Sequence, residues 1–136
     1  MSKVSSNFKT NNGKAVLVKL SRGDSIIDSL TAIAEELQFN CASITGIGAV
    51  ENPTLGYYIP EQTQYQFKTF SDGLYELITL NGNITKDKDE YKTHIHVALA
   101  NKNYEVIAGH LKDATVAVKA EIVITPYVYL NENGAS

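Results

Sequence analysis

The 136-residue chain predicts an α+β domain built on a largely antiparallel sheet. Two observations carry this prediction. A single segment repeats apolar residues at helical spacing, and the rest breaks into seven or eight stretches rich in β-branched and aliphatic residues. No regular alternation of strand and helix, such as a parallel sheet needs, runs along the chain.

After a polar start with a turn-prone Asn-Asn-Gly at 11–13, the stretch KAVLVKL reads as a first strand. RGDSIIDSLTAIAEELQF follows as the helix: Asp24 or Ser25 suits the N-cap, Asp28 lies in the first turn, and Ile26, Ile27, Leu30, Ile33, Ala34 and Leu37 recur at helical spacing. CASITGIGAV and PTLGYYI read as two short strands, with Gly46, Gly48 and Gly56 marking bulges, bends or close backbone approach. TQYQFKTF and LYELITLNGNI alternate around Asp72-Gly73, a hairpin signal. TKDKDEY reads as a charged loop, and THIHVALA, YEVIAGHL and ATVAVKAEIVI supply three more strands, the first two joined by a turn at Asn101–Asn103. The whole of 1–136 is expected to form one domain with its core at about 15–125, the flanks 1–13 and 131–136 being flexible.

Composition narrows the function. Hydrophobic residues at 43% and charged residues at 20% are those of a globular domain, one long enough to bury roughly two thirds of its unfolded surface. A net charge of -3 disfavours broad nucleic-acid binding, which relies on Lys and Arg neutralising phosphates. Lys3, Lys9, Lys14, Lys19 and Arg22 make the first 22 residues basic, but they are scattered as on a solvated face. The one cysteine, Cys41, rules out an internal disulfide, fits a reducing compartment and reads as a buried inert thiol. Neither a signal-type apolar segment nor a run near the roughly 20 residues of a membrane span is present, so a cytoplasmic protein is expected.

The three histidines of the chain, His94, His96 and His110, fall within 17 residues. Strand residues two apart share a face, so His94 and His96 project together while Ile95, Val97 and Leu99 project to the other side. A turn centred on Lys102 would place His110 opposite His94 and diagonal to His96, leaving Ile95, Val97, Leu99, Ile107 and Leu111 as a core face. Three converging neutral imidazoles are the ligand set of a tetrahedral zinc site with an open fourth position, where a bound water would become more acidic. A polar cluster at a subunit contact and three unrelated histidines are the competing readings.

Other patterns carry less chemistry. TGIGAVENPTLG lacks the spacing of a phosphate cradle. Glu51, Glu76 and Glu121 offer acid or base groups that nothing in the spacing brings to the histidines, Tyr57 and Tyr58 suit packing against a sheet or an interface, and no Ser-His-Asp set can be assigned. Catalytic residues and turnover are therefore left unassigned.

From Ala15 to Thr125 the chain resembles the plants and prokaryotes conserved domain, called PPC or PCC. The segments that carry the resemblance are RGDSIIDSLTAIAEEL, ASITGIGAVENPTLGYY, YELITLNGNI, HIHVALA and AGHL followed by ATVAVKAEIVI, in that order. The resemblance implies a curved, mainly antiparallel sheet with a helix packed on it and assembly as a homotrimer. Plant members carry the domain after AT-hook motifs and are nuclear DNA-binding regulators; this chain has no Arg-Gly-Arg-Pro core of an AT-hook. The plant partner segment Gly-Arg-Phe-Glu-Ile-Leu corresponds here to Gly73-Leu74-Tyr75-Glu76-Leu77-Ile78, with Leu in place of Arg. Stand-alone prokaryotic members share the HxH plus GH histidines, which implies a divalent metal, best matched by zinc, on His94, His96 and His110. Small-ligand binding or hydrolysis would follow; a DNA-binding or regulatory scaffold and a metal-free structural assembly are the alternatives.

Overall fold

The computed structural model describes residues 14–128 and 130. The expectations for the flanks, the Asn-Asn-Gly turn at 11–13 among them, lie outside the described residues. Among the described residues six strands and one α-helix follow in the order β1 (Val16–Ser21), α1 (Ile26–Leu37), β2 (Cys41–Ile59), β3 (Gln64–Thr69), β4 (Leu74–Asp87), β5 (Glu90–Ala100) and β6 (Val106–Pro126). A short 3-10 turn at Pro60–Gln62 links β2 to β3.

All strand pairs are antiparallel, and the sheet runs β1-β6-β5-β4-β2-β3 with β2 also paired to β6. That extra pairing closes the ring β2–β4–β5–β6, so the sheet curls back on itself as a small barrel whose rim strands are β1 and β3. Closure needs sharp bends, and β2 supplies them. Its register against β4 shifts between Gly46 and Gly48, and Asn52 takes a left-handed φ of 53° as β2 exchanges β4 for β3 along one edge. A Cβ on Gly48 would lie 2.5 Å from the Lys119 carbonyl oxygen, so only a glycine lets β6 run this close.

The same bends explain where segmentation of the chain departs from expectation. CASITGIGAV and PTLGYYI are one 19-residue strand, and YEVIAGHL and ATVAVKAEIVI are one 21-residue strand. The charged TKDKDEY is no loop: it forms the ends of β4 and β5 around a turn at Lys88, with Lys86 paired to Tyr91 and Asp87 to Glu90. Asp72-Gly73 does not close a hairpin either, because β3 and β4 lie on the same edge of β2 and do not pair with each other. Asp72 instead accepts a hydrogen bond from the Tyr75 hydroxyl at 2.6 Å, which, with burial, pushes that phenol up to about 12.

Helix α1 starts where the sequence places it. Ser25 is the N-cap, its Oγ accepting the Asp28 N–H at 3.1 Å and donating to Asp113 Oδ2 of β6 at 2.7 Å. Gln38, left-handed at φ 59°, ends it by donating its N–H to the Ala34 carbonyl at 2.8 Å. Ile26, Leu30, Ile33, Ala34 and Leu37 face inward against β5 and β6 and join Val16, Leu20, Ile44, Leu80, Ile95, Leu99, Ile122 and Ile124 in one core. Cys41 is buried, and its thiol donates to the Tyr127 carbonyl at 3.3 Å. Among the described residues no helix is long and apolar enough to cross a membrane.

Candidate metal centre

The site is built on the hairpin of β5 and β6. Along β5, Ile95, Val97 and Leu99 are buried while His94 and His96 point out, as strand alternation requires. On β6, Leu111 is buried and His110 sits half-buried on the outer face. The pairing is His96↔His110, Val97↔Gly109 and Leu99↔Ile107, so His110 stands opposite His96 and not, as the turn at 101–103 suggested, opposite His94.

The difference comes from the turn. Asn101 Oδ1 accepts the backbone N–H groups of Asn103 at 2.9 Å and Glu105 at 3.0 Å, and Tyr104 adopts a left-handed φ of 64°. The connection therefore occupies 101–105 and centres on Asn103. Moving the centre by one residue shifts the register by two, which keeps every side chain on its predicted face.

The three imidazoles converge. Ring centroids lie 5.2 Å apart for His94–His96, 5.6 Å for His94–His110 and 5.8 Å for His96–His110, and one nitrogen from each falls within 4.8 Å of the others. Among the described residues this is the one group of three or more His, Cys, Asp or Glu close enough to share an ion. No carboxylate joins it. Glu76 and Glu121 instead line a separate groove of about 450 Å³ with Ile47, Ile78 and Val118, and Glu51 pairs across to Leu74 and Thr115.

His110 is the member whose state the fold controls. Its Nδ1 is buried without a hydrogen-bond partner, and burial, followed by the neighbouring His94 and His96, holds its pKa below the usual imidazole value of 6.5. That shift favours the neutral ring, the form able to ligate a metal. A depressed folded pKa also gives stability that is present above 6.5 and lost as pH falls through the folded value, because the unfolded chain then binds the proton more readily. Urea midpoints of metal-free protein should accordingly drop below pH 6.5, and His110→Gln should flatten part of that slope; parallel curves for the two proteins would contradict it.

An aromatic wall borders the cluster that sequence reasoning did not place there. Gly56 of β2 pairs with His110 on one side and Phe67 of β3 on the other. A Cβ at Gly56 would come within 2.8 Å of Phe67 Cε1 and 3.1 Å of Tyr65 Cδ1, so the missing side chain lets both rings lean over the strand. Tyr65 consequently stacks on His110 at 4.4 Å between centroids and 26° between planes. Phe67 lies beside Tyr65 at 5.7 Å, Tyr58 meets it edge-on at 5.2 Å, and the Lys112 ammonium sits 4.7 Å over the Phe67 ring. Tyr58 thus packs in this wall, whereas Tyr57 is 74% exposed. The alternation of QYQFKT puts Tyr65 and Phe67 on one face, but only the fold shows what that face meets.

Comparison with known proteins agrees with this architecture. The model of the Plants and Prokaryotes Conserved (PCC) domain matches residues 8–128. A plant- and prokaryote-conserved (PPC) protein from Pyrococcus horikoshii is similar at 28% identity and a TM-score of 0.80, over 93% of this chain and 87% of that one. A metal-containing protein from Archaeoglobus fulgidus is similar at 29% identity and 0.78, over 90% of each chain. A protein from Bacteroides thetaiotaomicron, named as a candidate DNA-binding protein, is similar at 26% identity and 0.80, over 100% of this chain and 93% of that one. No curated protein matches. With the family model covering most of the sequence and the structures agreeing over nearly all of it, the chain belongs to the Plants and Prokaryotes Conserved (PCC) domain family.

Proposed function

We propose that this domain is a homotrimeric metal-binding protein in which His94, His96 and His110 hold a divalent ion, zinc being the best chemical match. The observation that carries the reading is the convergence of three imidazoles, one of which, His110, keeps a buried Nδ1 without a hydrogen-bond partner. A buried polar atom without a hydrogen bond is costly, and a Lewis acid bound at that nitrogen would relieve the cost. Three neutral nitrogens suit zinc with one position left open. When bound, the ion would polarise a small ligand or lower the pKa of a coordinated water to about 7. The name of the Archaeoglobus fulgidus relative as metal-containing supports the same reading. Assembly as a trimer, in the cytoplasm, is part of it; the exposed Ile47, Ile78 and Val118 around one groove supply an apolar surface for self-association.

The test is reconstitution of chelator-treated protein with zinc, followed by elemental analysis, X-ray absorption and sedimentation. One zinc per chain, nitrogen scattering at about 2.0–2.1 Å and three times the chain mass are expected. Folded protein that takes up no zinc overturns the metal assignment. A metal-free trimer would then point to a structural assembly, and a monomeric mass would overturn the assembly.

DNA binding is the second reading, supported by the name of the Bacteroides thetaiotaomicron relative. The net charge of -3 opposes it. A gel shift at low salt that weakens steeply as salt is added would favour DNA; no shift at low salt removes it.

A further inference from the structure

We propose that the open position of this centre takes an aromatic carboxylate, its carboxylate directed at the ion and Lys112 and its ring laid against Phe67 beside Tyr58 and Tyr65. The inference rests on the metal reading above and specifies its ligand.

Charge calls for an anion. Three neutral imidazoles leave the double charge of a divalent ion uncompensated, and no carboxylate belongs to the cluster. Lys112 adds a further positive charge to the same face, two residues beyond His110. Among the described residues it is engaged in no ion pair, its ammonium resting on the Phe67 ring. Lys92, two residues before His94 on that face, differs in being held by Asp87 at 3.0 Å. One ion and one free ammonium match a single carboxylate, whereas a polyphosphate calls for several cations in a cradle.

Shape calls for a ring. Phe67 and Tyr58 are 43% and 44% exposed, two aromatic side chains left open to solvent, each in contact with Tyr65, the ring that stacks on His110. Their neighbour Tyr65 is already committed to His110, which fixes the wall at one end. Gly56 keeps the floor between wall and histidines clear, since any side chain there would strike Phe67 and Tyr65. The Lys112 ammonium is poised over an aromatic face, where it can meet a carboxylate while an arene stacks offset on Phe67. An aliphatic acid of the same charge would forgo that stacking.

Calorimetric titration of zinc-loaded protein with benzoate, cyclohexanecarboxylate, benzamide and acetate tests this, zinc content being measured on each sample first. Benzoate should bind about tenfold more tightly than acetate, the increment expected for an aromatic contact, and more tightly than cyclohexanecarboxylate or benzamide. Phe67→Leu and the surface variant Lys112→Gln should each weaken benzoate about tenfold with zinc content unchanged, and benzoate should shift the Phe67 ring protons in NMR spectra. Equal affinities for benzoate and acetate, or benzoate binding that neither variant alters, overturns the ligand assignment while the measured zinc upholds the metal centre. Protein that fails to load zinc overturns both, and the elemental analysis identifies that case ahead of the titration.

Discussion

A His96→Ala variant is expected to bind zinc more than about a hundredfold more weakly than the natural protein, with its fold unchanged. Substituting even the outer partners of a metal ligand costs about ten- to a hundredfold in affinity, so removing a ligand itself should exceed that range. His96 is exposed and directly opposite His110, in ring contact with both other imidazoles. It contributes nothing to the buried core, and truncating it leaves no cavity. Competition against a chromophoric chelator gives the affinity, and circular dichroism with a urea titration of the metal-free form checks the fold. An affinity within tenfold of the natural protein would mean that the ion, if bound, sits elsewhere.

One residue earlier in the same strand the expectation inverts. Ile95→Ala should destabilise the domain by about 2–5 kcal/mol, the range for deleting a large buried aliphatic side chain, while the folded fraction still binds one zinc per chain. Ile95 is 1% exposed and belongs to the same core as Leu80, Leu99 and Ile122. Its backbone positions His94 and His96, but its side chain points away from them. Such a loss is a large share of the roughly 5–15 kcal/mol that holds a domain of ordinary stability together. Urea unfolding of the metal-free form measures it; a change below about 1 kcal/mol would show that the strand's inner face is not packed as described.

This contrast between neighbours is legible in the sequence alone, because period-two alternation in THIHVALA already separates polar from apolar faces. The helix is legible for a similar reason: a capping serine and a six-member apolar stripe are local signals. What escapes a sequence reading is everything set by distance along the chain. Glycines at 46, 48 and 56 suggest interrupted strands, yet the chain bends through them without leaving the sheet, since β6 pairs along nearly the whole of β2. Lys112-Asp113 looks like a break in β6 but is a point where Asp113 turns in to cap the helix start. The histidine register differs from expectation by two residues because one asparagine side chain accepts two backbone N–H groups and lengthens the loop. The aromatic wall has no local signal, because Tyr65 and His110 are brought together only when β2 pairs with both β3 and β6.

The barrel's closing pair, by contrast with the three histidines, joins opposite ends of the domain. His94 and His110 are 16 positions apart on one hairpin, whereas Ala42 pairs with Pro126 across 84 positions. Loop-closure entropy sets these events on different footings: the hairpin brings its histidines together with one short closure, while the ring must await contacts of high sequence separation. Convergence of the histidines is therefore a local event, set by the β5–β6 hairpin, and an ion bound there would tie β5 to β6. The aromatic wall belongs to the later, non-local stage, so a chain halted between the two would have its three histidines together without the rings that border them.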